Sequence, residues 1–204
     1  MWPPANRLVR QITELHRDTV CRWHEQEVDN PYQGFLATVC RQHQFNFLLW
    51  HEEDIARSPD VGDERIAAVK RAIDRYNQQR NDAIEQIDEA LVQMLAASGA
   101  APLVGAQLNT ETPGAAIDRL SIMALRIYHL EEQAARNDVD QAHRQKVEER
   151  LNRCQAQHAD LSQSLAELLA DLQAGRKLLK VYRQMKMYND PTLNPYLYRS
   201  RLSA

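Results

Sequence analysis

One long periodic segment constrains the fold of this chain more than any other feature. Residues 63–98 carry an apolar side chain at nearly every third or fourth position, the spacing of a helix with one buried face. At about 1.5 Å per residue, such a helix is roughly 50 Å long. It can bury its apolar stripe only against other long helices, so the segment predicts the spine of a helical bundle.

Glycine and proline residues, which weaken helix interiors, divide the rest of the chain. The intervals between them predict five further helices, over residues 5–29, 35–57, 113–136, 139–174 and 176–188. Because no run rich in valine and isoleucine suggests a strand, we predict an all-α fold, an elongated up-and-down bundle of about six helices. Residues 1–188 are expected to form a single helical-bundle domain, with a C-terminal tail of residues 189–204 packed on it.

Composition and charge narrow the class of function. The 204 residues have a formal net charge of -3, which argues against nucleic acid as a partner. No apolar run is long enough for a membrane span and the N-terminus lacks a secretion signal, so we expect a cytoplasmic protein. The three cysteines are too scattered for a disulfide framework or a zinc site. Long helices with stripes on two sides favour a homodimer.

The predicted helix 113–136 begins with a motif suited to anions. Thr112 is placed to cap it, and Pro113 suits the first helical position. Small residues then leave backbone amides uncovered, which favours a phosphate group. The predicted ligand-binding residues here are Thr112, Gly114, Ala115, Asp118, Arg119 and Arg126. An internal ion-pair network that fixes the helix register is the alternative interpretation of the charged residues.

Two further polar stretches could complete a pocket. Carboxylate and amide side chains crowd one turn of helix 35–57 and form a polar stripe along helix 63–98, and such oxygens are ligands for Mg²⁺ or Mn²⁺. We expect a divalent cation at Glu52, Glu53, Glu85 and Asp88, and further ligand contacts from Asn77, Arg80 and Asn81. The alternative is that the stripe is the solvated face of a surface helix.

Two histidines are candidate general bases, His51 and His129, because imidazole titrates near neutral pH. Together with the predicted cation they indicate a pocket for a phosphorylated or nucleotide-linked ligand, acted on by a divalent-metal-dependent hydrolase or transferase. The alternative is a non-enzymatic helical accessory protein that binds a partner such as a glycosyltransferase. In that case the same charges would be structural pairs.

Four sequence blocks resemble a known family, at residues 47–57, 73–88, 108–129 and 186–191. They are similar to the DUF4254 family, bacterial all-helical proteins of unknown function. The resemblance implies a setting near envelope-polysaccharide glycosyltransferases and no particular reaction. Glu85 and Asp88 also form a Glu-x-x-Asp pair similar to that of all-α nucleotide pyrophosphohydrolases, although the upstream Glu-Glu-x-x-Glu element of those enzymes is missing.

Overall fold

The computed structural model describes residues 2–184, 187 and 190–197. Its elements, in chain order, are α1 Ala5–Trp23, α2 Gly34–Arg57, α3 Asp63–Ala97, β1 Gln107–Leu108, α4 Pro113–Ala134, α5 Gln141–Gln173 and β2 Lys177–Leu178. The predicted all-α class is confirmed. Of the helices in the described ranges, none is both long and apolar enough to cross a membrane.

The first helix is shorter than its predicted range of 5–29. It ends at Trp23, and the chain turns at His24. The Asp29 carboxylate accepts hydrogen bonds from the Trp23 indole at 3.1 Å and from the Arg22 guanidinium at 2.6 Å. Since these bonds tie the segment after the helix back to its last turn, residues 24–29 cannot continue the helix.

The predicted helix over residues 176–188 is wrong for its described part. Gly175 has a positive φ of 72°, which ends α5, and residues 176–184 contain no helix. Lys177–Leu178 instead pairs in parallel with Gln107–Leu108. Residues 185, 186, 188, 189 and 198–204 lie outside the described residues, so the packing of the tail 189–204 and the single domain over 1–188 stay predictions.

Helices α1 to α5 all contribute to one apolar core. The largest fully buried apolar side chains come from α1, α3, α4 and α5, and they are Ile12, Leu15, Ile87, Leu91, Ile117, Leu120, Leu125, Leu165 and Leu169. Phe47 brings α2 into the same cluster. Helix α2 packs along α3, and α4 packs along α5 and α1. This core fixes which faces of α2, α3 and α4 remain open to form grooves.

The first turn of α4 approaches α3 too closely for any side chain. A Cβ atom added to Gly114 would lie 2.7 Å from the Ile84 carbonyl oxygen and 2.9 Å from Asp88 Oδ1. Because the nearest of these atoms is backbone, it cannot swing away as a flexible side chain would. Glycine is therefore required where α4 begins.

Replacing Gly114 with alanine should destabilise the protein. Since the added methyl group would push α4 away from α3, we expect a loss of about 2 to 3 kcal/mol in the free energy of unfolding. Urea denaturation followed by circular dichroism measures this loss. The matched control is Gly62→Ala, because Gly62 has a φ of -73° and nothing within 4 Å of its added Cβ. Equal stabilities of the two variants would contradict the prediction.

Candidate functional site

The N-terminus of α4 is already occupied by an anion of the protein itself. Gly114 donates its backbone N–H to Asp88 Oδ1 at 2.7 Å, and Ala115 donates to the Thr112 hydroxyl at 3.2 Å. Thr112 is thus the N-cap, as predicted. The Ala116 amide is bonded to the Thr112 carbonyl, at 3.1 Å. The expectation of uncovered amides for a phosphate at Gly114 and Ala115 is wrong, because the Asp88 carboxylate covers the first amide and the Thr112 hydroxyl covers the second.

Burial governs the ionisation of this carboxylate. Asp88 is only 3% exposed, and desolvation raises its pKa to about 6. The hydrogen bonds from Thr112 and Gly114 act in the opposite direction but are outweighed. Asp88 is therefore a structural acid that folding makes harder to ionise.

The stability of the protein should depend on pH through Asp88. Its pKa is raised above the ordinary value of 3.8 to about 6, so the folded state holds a proton that the unfolded state has released. The free energy of unfolding should therefore fall by about 2 kcal/mol as the pH rises from 4 to 6, and level off above about pH 7. Asp88→Asn keeps an acceptor for the Gly114 amide and cannot ionise, so its free energy of unfolding should not change through this site. Because the wild type loses stability as the pH rises, the stability of the variant relative to wild type should increase over this range. Urea titrations at pH 4, 5, 6 and 7 measure the difference, and a constant difference would contradict the assignment.

A buried polar network joins α4 to α2. Asp118 accepts hydrogen bonds from Gln42 at 2.6 Å and from Asn46 at 2.9 Å. Asn46 also donates to the Ser121 hydroxyl at 2.8 Å, and Ser121 lies 2.6 Å from His43 Nδ1. Burial raises the pKa of Asp118, opposed by the bond from Asn46. The geometry therefore favours the internal-network interpretation for Asp118, with amide partners in place of ions.

The predicted arginines are distributed over two grooves. Arg119 forms an ion pair with Glu111 at 2.9 Å and lines a groove of about 870 Å³ between α4 and α5. Arg80 and Asn77 line a second groove of about 490 Å³ between α2, α3 and α4, which we call the arginine groove. Arg126 borders both grooves. The single pocket predicted for all of these residues is thus divided in two.

Asn81 does not line either groove. Its side chain is buried in α3, where its oxygen accepts a hydrogen bond from the Arg80 guanidinium at 3.3 Å. Asn81 therefore helps to position the Arg80 guanidinium through this hydrogen bond.

The four acids predicted to hold a cation are not brought together. Glu53 pairs with Arg57 at 3.0 Å, and Glu85 accepts from Arg183 at 3.0 Å. Asp88 is bound to the start of α4, and Glu52 has a buried oxygen without a hydrogen-bond partner in the described chain. Because each acid has different surroundings, Glu52, Glu53, Glu85 and Asp88 do not form one metal site.

The two predicted histidines do meet, and a third joins them. One ring nitrogen of His24, one of His51 and one of His129 lie within 4.8 Å of one another. His24 is the residue after α1, His51 belongs to α2 and His129 to α4. We call this group the histidine cluster. Among the described residues, this is the cluster in which three His, Cys, Asp or Glu side chains lie close enough to share a metal ion.

His24 was missed by the sequence prediction because it fell inside a predicted helix, 5–29. Its position depends on the turn after Trp23, which is fixed by contacts with Asp29. No spacing in the sequence connects it to His51 or His129.

Aromatic rings enclose the histidine cluster. Tyr128 stacks on the His24 ring, with centroids 4.1 Å apart, and Trp50 stacks on the His129 ring at 4.9 Å. Phe47 packs against the His51 ring at 4.4 Å. The surroundings lower the pKa of His51, first through burial and then through repulsion by the two neighbouring imidazoles. His51 is therefore neutral at pH 7.

The fold and this site define a class: an all-α bundle with an enclosed imidazole cluster beside a groove bordered by arginines. The chain belongs to the family described as "Protein of unknown function (DUF4254)", whose model matches residues 36–181. The match includes the arginine groove, His51 and His129, and it begins after His24. Neither the curated proteins nor the solved structures contain a match to this chain.

Proposed function

We propose that the arginine groove binds a phosphorylated or nucleotide-linked small molecule. The proposal rests on two guanidinium groups that line the groove and form no ion pair among the described residues. Among the described residues, neither Arg80 nor Arg126 takes part in an ion pair, and both border the same groove. Two such groups on neighbouring helices match the bidentate chemistry of a phosphate.

The other walls of the groove suit the rest of such a ligand. Its volume of about 490 Å³ is within the range of small-molecule sites. Trp50 and Leu49 supply apolar surface for a base or a sugar ring, and Asn46 lies beside them. Two acids, Glu53 and Asp54, also border the groove and can accept hydrogen bonds from sugar hydroxyls. The lining therefore favours a sugar or nucleoside phosphate over inorganic phosphate.

More specifically, we propose that the protein is a divalent-metal-dependent hydrolase or transferase of envelope-polysaccharide metabolism. The groove would hold the phosphorylated substrate, and Mg²⁺ or Mn²⁺ would neutralise phosphate charge during displacement. A cation that arrives with the ligand can be shared with Glu53 or Asp54, since both border the groove. His51 and His129 are the proposed general bases of a protein without a metal ion at these rings, because a nitrogen that coordinates a metal ion cannot also accept a proton. The His129 ring stacks on the indole of Trp50.

A second candidate function is the binding of a protein partner such as a glycosyltransferase. It is favoured by the exposed apolar side chains of Leu103, Val104 and Leu108, in the segment between α3 and α4. Exposed apolar residues near one another are typical of interaction surfaces. Under this proposal the protein is a non-enzymatic helical accessory protein. Self-association into a homodimer also stays a prediction.

Ligand binding to the groove can be tested with a thermal-shift panel followed by calorimetry. The probes are inorganic phosphate, sugar phosphates, nucleoside diphosphates and nucleotide sugars, each with and without Mg²⁺ or Mn²⁺. A probe at a hundred times its dissociation constant should stabilise the protein by about 2.7 kcal/mol. Arg126→Gln should weaken the binding of that probe at least about tenfold, because a charge-assisted hydrogen bond is lost.

Arg119→Gln is the matched control, since Arg119 lies on the same helix but is paired with Glu111 and lines only the other groove. Its affinity should equal that of wild type. A loss confined to Arg119→Gln would place the ligand between α4 and α5 and contradict the proposal. A panel without any response would favour the accessory-protein function instead.

A further inference from the structure

The histidine cluster contains three buried ring nitrogens that have no hydrogen-bond partner in the part of the chain that the structure describes. The Nε2 atoms of His24, His51 and His129 are all buried, and none has a hydrogen-bond partner within the described ranges of the chain. Buried polar atoms are normally paired, so three neighbouring exceptions require an explanation. A shared metal ion would satisfy all three at once.

The tautomers of two of these rings can be worked out from their partners. His24 Nδ1 lies 2.7 Å from the Val20 carbonyl oxygen, and His129 Nδ1 lies 2.7 Å from Glu132 Oε2. Both partners are acceptors, so each Nδ1 carries the hydrogen and donates it. In the neutral ring the lone pair is then on Nε2, the buried nitrogen that has no hydrogen-bond partner among the described residues. This is the arrangement of metal-binding histidines, whose second nitrogen is fixed by a carbonyl or a carboxylate.

We propose that His24, His51 and His129 bind one divalent transition-metal ion, of the Zn²⁺, Co²⁺ or Ni²⁺ type. Imidazole nitrogen suits these ions, whereas Mg²⁺ and Mn²⁺ prefer oxygen. Three histidines leave a fourth position for water or another oxygen ligand, as in catalytic zinc sites. The proposal uses none of the four acids considered above, and it does not depend on a ligand in the arginine groove.

The distances between the rings are compatible with this assignment. A tetrahedral ion with metal–nitrogen bonds of about 2.0 to 2.1 Å needs nitrogens roughly 3.3 Å apart. The cluster has its ligand nitrogens within 4.8 Å of one another, so each pair of nitrogens must close by at most about 1.5 Å. Rotation of imidazoles held on three separate elements can supply that movement. The Tyr128 and Trp50 rings stacked on His24 and His129 limit it to motion in the ring planes.

A second buried histidine pair shows why the cluster is distinctive. His16 also has unpaired ring nitrogens, and its ring packs on His43 with centroids 4.6 Å apart. Both nitrogens of His43 are used, one by Ser121 and the other by the His16 carbonyl. His43 therefore offers His16 no free lone pair with which to share an ion. In the histidine cluster three rings, each with an Nε2 that is unpartnered in the described chain, bring one ring nitrogen apiece within 4.8 Å of one another.

The test uses the untagged full chain, stripped of metal with a chelator and titrated with metal alone. We expect one Zn²⁺ per chain, competition between Zn²⁺ and Co²⁺, and visible Co²⁺ absorption of the four-coordinate type. A tenfold excess of Mg²⁺ should not displace the bound ion. Absence of stoichiometric Zn²⁺ binding would overturn the proposal, whatever the arginine groove binds.

Substitutions locate the site. His24→Asn, His51→Asn and His129→Asn should each weaken Zn²⁺ binding at least about 100-fold, because each removes a ligand. The matched control is His143→Gln at the start of α5, where the backbone N–H rather than the imidazole contacts Asp140. It should bind as wild type does. Wild-type affinity in all three asparagine variants would overturn the proposal.

A further variant keeps the test decisive if a ligand variant fails to fold. Glu132 is exposed and orients His129 through Nδ1, so Glu132→Gln should leave the fold unchanged by circular dichroism. It should weaken Zn²⁺ binding by about 10- to 100-fold. Unchanged affinity in this variant would contradict the assignment of His129 as a ligand.

Discussion

The hydrogen bond between His43 and Ser121 is the contact on which the position of the whole site depends. It joins α2 to α4 in the interior, together with the bonds from Asn46 to Ser121 and Asp118. Such polar contacts have one satisfied arrangement, and a slip of one helical turn would leave several polar groups buried without partners. That cost is about 1 to 3 kcal/mol for each group. The network therefore fixes the register of the two helices.

The fixed register of α2 and α4 also determines the positions of His51 and His129 in the histidine cluster. Eight residues after His43 and Ser121, α2 and α4 present His51 and His129, whose ring centroids lie 6.0 Å apart. The two helices therefore run in the same direction at this interface, and equal steps along each keep the partners opposite. The start of α4 is set separately, by the contact of Gly114 with Asp88. Both ends of the site thus depend on polar contacts within an apolar core.

The sequence predicts local features well and long-range pairings poorly, for a physical reason. Apolar periodicity predicted α3, the positions of glycine and proline predicted α2, α4 and α5, and capping chemistry predicted Thr112, because all of these depend on residues a few positions apart. The Gly114 amide was mistaken for part of a phosphate site because its true partner, Asp88, lies 26 positions away in the sequence. His24 was missed for the same reason. Which polar groups satisfy one another is decided by packing, and packing cannot be read from spacing alone.

The indole of Trp50 connects the two proposed sites. The Trp50 ring stacks on His129 and also lines the arginine groove. A ligand that presses against Trp50 would therefore act directly on a ring that orients a proposed metal ligand. A metal ion that draws His129 inward would in turn shift the wall of the groove. Because buried aromatic rings are close-packed, such movements pass between neighbours rather than being absorbed. If both sites are occupied, their affinities should be coupled through this one side chain, and the coupling must be equal in both directions.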